Sequence, residues 1–310
     1  MGVGHGFGKA ILFNEHFVVY GVPAIASAVN YRTAARVDRS DKDVLEDRRK
    51  GTAGYSQSKM AQQMEAISII KRELSVKDGL HIVLEGDLPA FSGIGASAAN
   101  SVAIARAIAD EYKLDLSDAA INRVAYRAEK AFAGTPSGVD NTAATYGGLI
   151  WFRRSADPMS DEPPFVEKIR AKPFEMVLAN SGVVADTKRV IEGVRERRER
   201  NRKAYDEIFS RAESIAHEAR KALEGNDLKK VGKLMNEDHG LLQRIDVSSD
   251  VLDRMVELAL DVGAIGAKLT GGGVGGCMIA LTPGKELQKK VEDAFRISGF
   301  ETLEITVGGV

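Results

Sequence analysis

A glycine-rich turn, Gly93-Ile94-Gly95, leads directly into the alanine-rich run Ala96-Ser97-Ala98-Ala99. The residues before the turn, 81–85, are predicted to form a strand, and residues 96–109 a helix. Free N–H groups at a helix N-terminus bind anions, and glycines let a phosphate approach the backbone closely. The Ser97 hydroxyl adds a ligand for a phosphate oxygen or a magnesium ion. The pattern indicates a phosphate-binding loop, although a plain turn before a helix has the same pattern.

The turn does not match the two common nucleotide-binding motifs. It lacks the lysine of G-x-x-x-x-G-K-[ST], and it is not a dinucleotide loop with an acidic residue about 20 positions later. An ordinary P-loop ATPase is therefore excluded.

Two carboxylates follow the turn at positions that phosphoryl transfer can use. Glu129 lies near the end of a helix predicted over residues 117–131, and Asp140 comes just after Pro136-Ser137-Gly138. Proline and glycine end the helix and fold the chain back, so both carboxylates can face one site. Transfer from ATP needs a ligand for a divalent cation and a group that takes the proton of the attacking hydroxyl. From position alone, two surface acids remain the simpler interpretation.

A lysine and an acid–histidine pair interrupt the apolar N-terminal segment. Lys9 enters the run from Ala10 to Phe13, where a charge is unusual unless it is matched. Its ammonium group would lower the pKa of a substrate hydroxyl, whereas the alternative is a lysine at a strand end that reaches solvent. Glu15 and His16 form the next polar break, and no second histidine stands at zinc-ligand spacing.

A second glycine cluster occupies residues 271–276, where five of the six residues are glycine. It follows Lys268-Leu269-Thr270 and precedes Cys277. Such a run costs backbone entropy and favours a turn that approaches a ligand, with a plain hairpin turn as the alternative.

The predicted elements that carry these residues are mixed strands and helices in an α+β order, without the regular alternation of a doubly wound or barrel fold. Residues 154–173 are predicted to be a surface connection near a domain boundary. The formal net charge of −1 does not favour nucleic-acid binding, and no run of about 18 apolar residues predicts a membrane span. With one cysteine and no secretory signal pattern, we expect a cytoplasmic protein.

Taken together, four segments resemble the motifs of the GHMP kinase superfamily and, within it, of the mevalonate kinase family. Their order and spacing extend the resemblance over nearly the whole chain. The segments are Gly8 to Gly21, Gly93 to Ala99, Gly134 to Asn141 and Lys268 to Gly276.

The resemblance implies a two-domain fold. An N-terminal ATP-binding domain like domain 2 of ribosomal protein S5 is expected over residues 1–170, and a ferredoxin-like C-terminal domain over residues 171–310. In that family the active site lies in the cleft between the two domains.

The same resemblance implies roles for the nucleotide-side residues. Asp140 matches the catalytic aspartate, and Lys9 matches the lysine that contacts both the phosphoryl group and that aspartate. Ser97 and Glu129 match the Mg²⁺ ligands, and residues 93–99 match the ATP-binding loop.

On the substrate side, Glu15 and His16 match residues of the mevalonate pocket. Thr187 matches a threonine implicated there, and Gly271 and Gly272 fall in the matching glycine turn. The implied reaction converts ATP and (R)-mevalonate into 5-phosphomevalonate and ADP, with ATP, Mg²⁺ and a small molecule as the partners. The oligomeric state is not revealed, and a homodimer stays open.

Two positions depart from the family pattern. Asn14 stands where glycine is usual before Glu-His, and asparagine tolerates a left-handed backbone better than most residues. Ala96 stands where the loop often has a first serine, so only Ser97 remains.

Two alternatives stay open. One is another kinase of the superfamily, acting on phosphomevalonate, a different mevalonate hydroxyl, homoserine or a sugar. The other is a ligand sensor without turnover, against which the presence of Lys9, Ser97, Glu129 and Asp140 argues.

Overall fold

The computed structural model describes residues 1–51, 54–90, 93–133, 136–155, 164–184 and 187–309. The chain forms two compact units, and neither is one continuous stretch. Unit 1 comprises Met1–Lys9 with Ala28–Gly147, and unit 2 comprises Ala10–Ser27 with Gly148–Val310. The domain boundary after residue 170 stays a prediction, whereas the mixed α+β order is confirmed.

Strands β1 and β2 contribute residues to both units, and the other early elements belong to unit 1. The elements are β1 (Gly2–Phe13), β2 (Ala24–Ser40), β3 (Val44–Asp47), α1 (Tyr55–Ser58), α2 (Met60–Glu73), β4 (Gly79–Gly86), α3 (Ala96–Glu111), α4 (Asp118–Ala133) and α5 (Val139–Tyr146).

In unit 1, β4 pairs antiparallel with β2 and parallel with β3, and β1 also pairs with β2. Helices α2, α3 and α4 pack together around a core of small and branched apolar side chains. Helix α3 is buried along almost its whole length, which explains its alanine-rich sequence, because small side chains allow close packing on every face.

Alternating glycines in β1 fix the position of α3. A Cβ atom added at Gly2, Gly4 or Gly6 would lie 2.2 to 2.4 Å from a backbone oxygen of Ala107, Ala103 or Ala99. The period of two in the strand thus matches one face of the helix, where residues repeat every four positions. Only glycine allows this approach, and it sets the N-terminus of α3 beside the end of the same strand.

Unit 2 contains a 3₁₀ helix, Phe17–Tyr20, and the remaining elements. These are β5 (Leu149–Arg153), β6 (Phe165–Ile169), β7 (Phe174–Asn180), α6 (Thr187–Arg200), α7 (Arg202–Glu224), α8 (Leu228–Arg244), α9 (Asp250–Val262), β8 (Gly266–Thr270), β9 (Cys277–Leu281), α10 (Lys285–Ile297) and β10 (Glu301–Val307).

The strands of unit 2 are antiparallel, in the order β10-β7-β9-β8. Strand β5 pairs with β6 and with residues Ala24–Ser27 of β2. Strand β6 lies inside the stretch predicted to be a surface connection, so that prediction was wrong for residues 165–169. Helices α8, α9 and α10 cover the sheet. Across the described ranges, no helix combines the length and the apolar character needed to span a membrane.

Candidate active site

The predicted phosphate loop has the backbone geometry of an anion-binding helix start. Helix α3 begins at Ala96, and its N-cap Gly95 adopts a left-handed φ of 72°. A Cβ at Gly95 would lie 2.7 Å from the Cγ atom of Lys9, so the position needs glycine for two reasons. The N–H groups of Ala96, Ser97 and Ala98 lie in the first turn, where helix geometry gives them no intrahelical acceptor. Three backbone donors are therefore available to a bound anion.

The loop is attached to Lys9 through the backbone and the side chain. The backbone N–H of Lys9 donates to the carbonyl of Ile94 at 2.9 Å, and its Nζ donates to the carbonyl of Gly93 at 3.4 Å. The Ala99 N–H donates to the Gly95 carbonyl at 2.9 Å. Ala99 therefore supports the loop rather than offering its own donor. Phe91 and Ser92, which precede the loop, lie outside the described residues.

The ammonium group of Lys9 forms an ion pair with Asp140. Nζ lies 3.3 Å from Oδ1, with 3% of the lysine side chain and 34% of the aspartate side chain exposed. Asp140 is in the first turn of α5, whose dipole favours a negative charge there. The pair thus combines a buried cation with a carboxylate that keeps one side open to solvent. Gly134 and Thr135 of the motif before α5 lie outside the described residues.

Glu129 is buried in α4 and is held by two hydroxyl groups of α3. Ser97 Oγ donates to Oε2 at 2.9 Å, and Ser101 Oγ donates to Oε1 at 3.2 Å. Burial, and to a smaller extent the nearby charge of Asp140, raises the pKa of Glu129 to about 8. Ser101 supplies a second hydroxyl one helical turn after Ser97, although the first serine of the loop is replaced by Ala96.

A cavity beside the loop is lined by residues of unit 1 only. Its wall includes Ser56, Lys59, Gln63, Ser97 and Asn100. The Nε2 atom of Gln63 is buried and has no hydrogen-bond partner within the described part of the chain. An unpaired buried donor is costly, so this atom is available to a polar group placed in the cavity.

In unit 2, Asn14 forms the corner that presents Glu15 and His16. Its φ of 70° is left-handed, as expected for a residue at a position where glycine is usual. The side-chain amide donates to the carbonyls of Pro23 at 2.7 Å and Ala212 at 3.0 Å. These two hydrogen bonds hold the asparagine in a backbone conformation that other non-glycine residues avoid.

His16 contacts the second glycine cluster. Its Nε2 atom lies 3.0 Å from the carbonyl of Gly272, which accepts only, so Nε2 carries the proton and Nδ1 is left as an acceptor. Burial lowers the pKa of His16 to about 4, and the imidazole is therefore neutral near pH 7. Gly271 and Gly272 follow β8, and a Cβ on Gly272 would lie 2.3 Å from Oγ1 of Thr187, which is an exposed residue. The structure thus groups His16, Gly272 and Thr187.

Glu15 points into the interior of unit 2, where it meets two charged residues that the sequence analysis did not single out as site residues. Lys268 Nζ donates to Glu15 and lies 3.3 Å from Oδ2 of Asp238. All three side chains are buried. Lysine inside the strand Gly266–Thr270 was a signal that could have found this cluster. Asp238 gave no such signal, because it lies in an ordinary amphipathic helix.

Known proteins resemble both parts of this chain. The family model described as GHMP kinases N terminal domain matches residues 61–148, and the one described as GHMP kinases C terminal matches residues 219–300. A mevalonate kinase of Pyrococcus abyssi is 32% identical over 315 residues, covering 94% of this chain and 91% of the relative. One of Pyrococcus horikoshii is 33% identical over 316 residues, with the same coverage of both chains.

A solved structure agrees with these relatives. The crystal structure of L. major mevalonate kinase in complex with R-mevalonate has a TM-score of 0.92 and 33% identity, and the match covers 99% of this chain and 96% of that one. The predicted two-domain GHMP kinase fold is thereby confirmed, and the chain is an ATP-dependent kinase that acts on an alcohol. The chain belongs to the GHMP kinase family, and the two Pyrococcus relatives that are 32% and 33% identical to it are mevalonate kinases.

Proposed function

We propose that this kinase transfers the γ-phosphoryl group of ATP to the primary hydroxyl of (R)-mevalonate, giving 5-phosphomevalonate and ADP. The observation that carries the proposal is the Lys9–Asp140 ion pair, because it lies directly beside the glycine loop. Phosphoryl transfer depends on positioning and charge stabilisation more than on covalent chemistry, and this arrangement supplies both.

In the proposed mechanism, Asp140 accepts the proton of the substrate hydroxyl as its oxygen attacks the γ-phosphorus. The open side of Asp140 gives the hydroxyl access to the carboxylate. Lys9 holds Asp140 in place and offsets the negative charge that develops on the transferred group. The N–H groups of Ala96, Ser97 and Ala98 bind the phosphates of ATP.

Ser97 and Glu129 are proposed to hold a Mg²⁺ ion. Hydroxyl and carboxylate oxygens are the ligands that magnesium prefers, and Ser97 Oγ lies 2.9 Å from Glu129 Oε2. Burial and the charge of Asp140 raise the pKa of Glu129 to about 8. A bound cation would lower this pKa again, because it favours the ionised carboxylate. When bound, the ion neutralises phosphate charge. Ser56 and Lys59, which line a narrow cavity beside the loop, are our candidates for contacts with the nucleoside end of ATP.

Mevalonate is proposed to bind against His16, Thr187, Gly271 and Gly272, while Glu15, the fifth predicted pocket residue, would support this set from the interior of unit 2. Because Nε2 of His16 donates to Gly272, its Nδ1 atom can accept a hydrogen bond from a hydroxyl group. Thr187 is an exposed residue, and its hydroxyl beside Gly272 offers both a donor and an acceptor. This set of polar groups suits a ligand that carries hydroxyl groups rather than an apolar ligand. We further propose that the enzyme is cytoplasmic; a homodimer stays a prediction.

A coupled ADP assay with several acceptors tests the proposal. We expect turnover with ATP and (R)-mevalonate that requires Mg²⁺, and much slower turnover with phosphomevalonate, homoserine or galactose. Turnover with one of those three and none with mevalonate would reject the substrate assignment. The position of the phosphate in the product, read by ³¹P NMR, tests the choice of hydroxyl. Product phosphorylated at another oxygen would reject that choice.

A further inference from the structure

The geometry points to Lys268 as a positioning residue for the proposed acceptor pocket. It fixes the corner formed by residues 14–16 to the second glycine cluster, residues 271–276, without touching substrate. This inference rests on the proposed function only for the identity of the acceptor. The contacts that carry it all lie within unit 2.

Every N–H donor of the Lys268 ammonium group has a position near an acceptor. Nζ donates to Glu15, donates to the carbonyl of Leu269 at 2.8 Å, and lies 3.3 Å from Asp238 Oδ2. An ammonium group has three N–H bonds, so its capacity is filled by these partners. Lys268 therefore has no free donor for a ligand and acts on the residues around it.

The partners of Lys268 are the groups that shape the corner. Asp238 Oδ2 accepts the backbone N–H of Asn14 at 3.2 Å, which is the residue with the left-handed φ. Glu15 follows directly, and the next residue, His16, donates to the Gly272 carbonyl at 3.0 Å. One ammonium group thus organises two consecutive residues of the corner.

Strand β8, which contains Lys268, also contacts residues 11–16 through Thr270 and through the glycine cluster that follows the strand. Lys268 lies in β8, which leads straight into Gly271 and Gly272. At the end of β8 the Thr270 hydroxyl accepts from the N–H of Ile11 and donates to its carbonyl, both at 3.0 Å. Lys268, Thr270 and Gly272 therefore contact different residues of the segment 11–16, namely Glu15, Ile11 and His16. A change at Lys268 should displace His16 relative to Thr187.

The charges explain why lysine is needed here. One ammonium faces two carboxyl groups, and Glu15 Oε2 and Asp238 Oδ1 are buried without other hydrogen-bond partners among the described residues. Removing the ammonium would leave two buried carboxyls that must take up protons or separate. A cluster that only stabilises the fold would have the same charges. The test must therefore separate an effect on the position of His16 from an effect on stability.

The test compares the parent with Lys268→Met, Asp238→Asn/Lys268→Met and a control, Lys71→Met. Methionine keeps the length of the lysine stem but removes the charge. The double variant also removes one of the carboxylates that would be left without a cation, so it should recover much of the thermal stability. Lys71 pairs with Asp43 at 2.6 Å in unit 1 and serves as an ion pair outside both proposed pockets.

We expect KM for mevalonate to rise about tenfold in both Lys268 variants, while KM for ATP and kcat stay within about threefold of the parent. The control should lose stability with both KM values unchanged. A KM for mevalonate that is unchanged in Lys268→Met, or that recovers together with the melting temperature in the double variant, would overturn the inference. If neither Lys268 variant folds, Asp238→Asn alone carries the test, with an expected rise of about threefold. No rise would overturn it.

A readout without turnover separates this inference from the proposed function. In ¹⁵N-labelled protein, the Nε2 proton of His16 should be protected from exchange in the parent and exchange at least about tenfold faster in Lys268→Met. A parent without activity on mevalonate would reject the proposed function and leave this measurement valid. Equal protection in the parent and the variant would overturn the positioning role. His16→Asn identifies the signal.

Discussion

Each compact unit contains a buried lysine near two carboxyl groups. In unit 1, Lys9 pairs with Asp140, whose side chain is 34% exposed, and buried Glu129 lies nearby. In unit 2, Lys268 faces Glu15 and Asp238, and all three side chains are almost fully buried. Each group combines one lysine with two carboxyl groups, but of the two groups only the first has a carboxyl group that is substantially exposed. The comparison separates an arrangement suited to chemistry from one suited to holding a shape.

The largest expected effect is at the open carboxylate. Asp140→Asn should lower kcat about 10³-fold, because the amide cannot accept the hydroxyl proton, while the affinity for ATP stays close to that of the parent. Steady-state kinetics and ATP titration measure the two quantities. Asp118→Asn is the control, an acid of the same unit whose side chain is 56% exposed beside Arg106. Full activity in Asp140→Asn would remove the functional distinction between the exposed carboxylate of unit 1 and the buried carboxyl groups of unit 2.

The pH dependence of stability should report on Glu129, the buried acid near Lys9 in unit 1. The pKa of Glu129 is raised from 4.5 to about 8, so the folded protein binds the proton more tightly than the unfolded chain between these values. The stabilising contribution is complete below pH 4.5 and is lost as the pH rises towards 8. Relative to Glu129→Gln, the parent should lose on the order of 3 kcal/mol of unfolding free energy across this window. Urea denaturation without Mg²⁺ measures it, and parallel pH profiles would contradict it.

Replacing each of the two lysines should change a different kinetic parameter. Lys9→Met should lower kcat about 100-fold with little change in KM for mevalonate, since the charge of Lys9 is proposed to act on the transferred group. Lys268→Met should show the opposite pattern, with KM raised and kcat nearly retained. Measuring both variants under one set of conditions makes each the control of the other. The same division between kcat and KM in both would mean that the two clusters share one role.

The smallest expected effect separates two serines that hold the same carboxyl group. Ser97→Ala and Ser101→Ala each remove one hydrogen bond to Glu129, and each should cost about 1 kcal/mol of stability. Only Ser97 is in the first turn of α3, so only Ser97→Ala should also raise the Mg²⁺ concentration needed for half-maximal activity. Thermal melts and Mg²⁺ titrations give the two values. Equal Mg²⁺ requirements in the two variants would argue against Ser97 as a ligand.

Much of the nucleotide side was predictable because its signals are local. A turn of glycines before a helix at Ala96 and a helix break before Asp140 both follow from residue type and neighbours in the sequence. The contact between Lys9 and Asp140 is different, since nothing in the spacing of the two residues predicts it. The family resemblance supplied that pairing.

The substrate side depended more on contacts that are distant in the sequence. The corner at Asn14 was expected to survive, and its φ of 70° bears this out. The burial of Glu15 against Lys268 and Asp238 could not be read from spacing, because these residues lie more than 200 positions from Glu15 in the sequence. Strand β6 was missed because its burial pattern shows mostly exposed residues, which leaves no clear apolar period.

Because β1 and β2 contribute residues to both compact units, they limit which segments of this enzyme can be exchanged with those of a relative. Residues 10–27, which include the Glu15–His16 corner, belong with the C-terminal half by their contacts but with the N-terminal half by their place in the gene. A chimera of two family members joined near Gly147 would therefore combine Ala24–Ser27 of one parent with the β5 strand of the other. Acceptor specificity should follow such an exchange only when residues 10–27 are exchanged together with the C-terminal half.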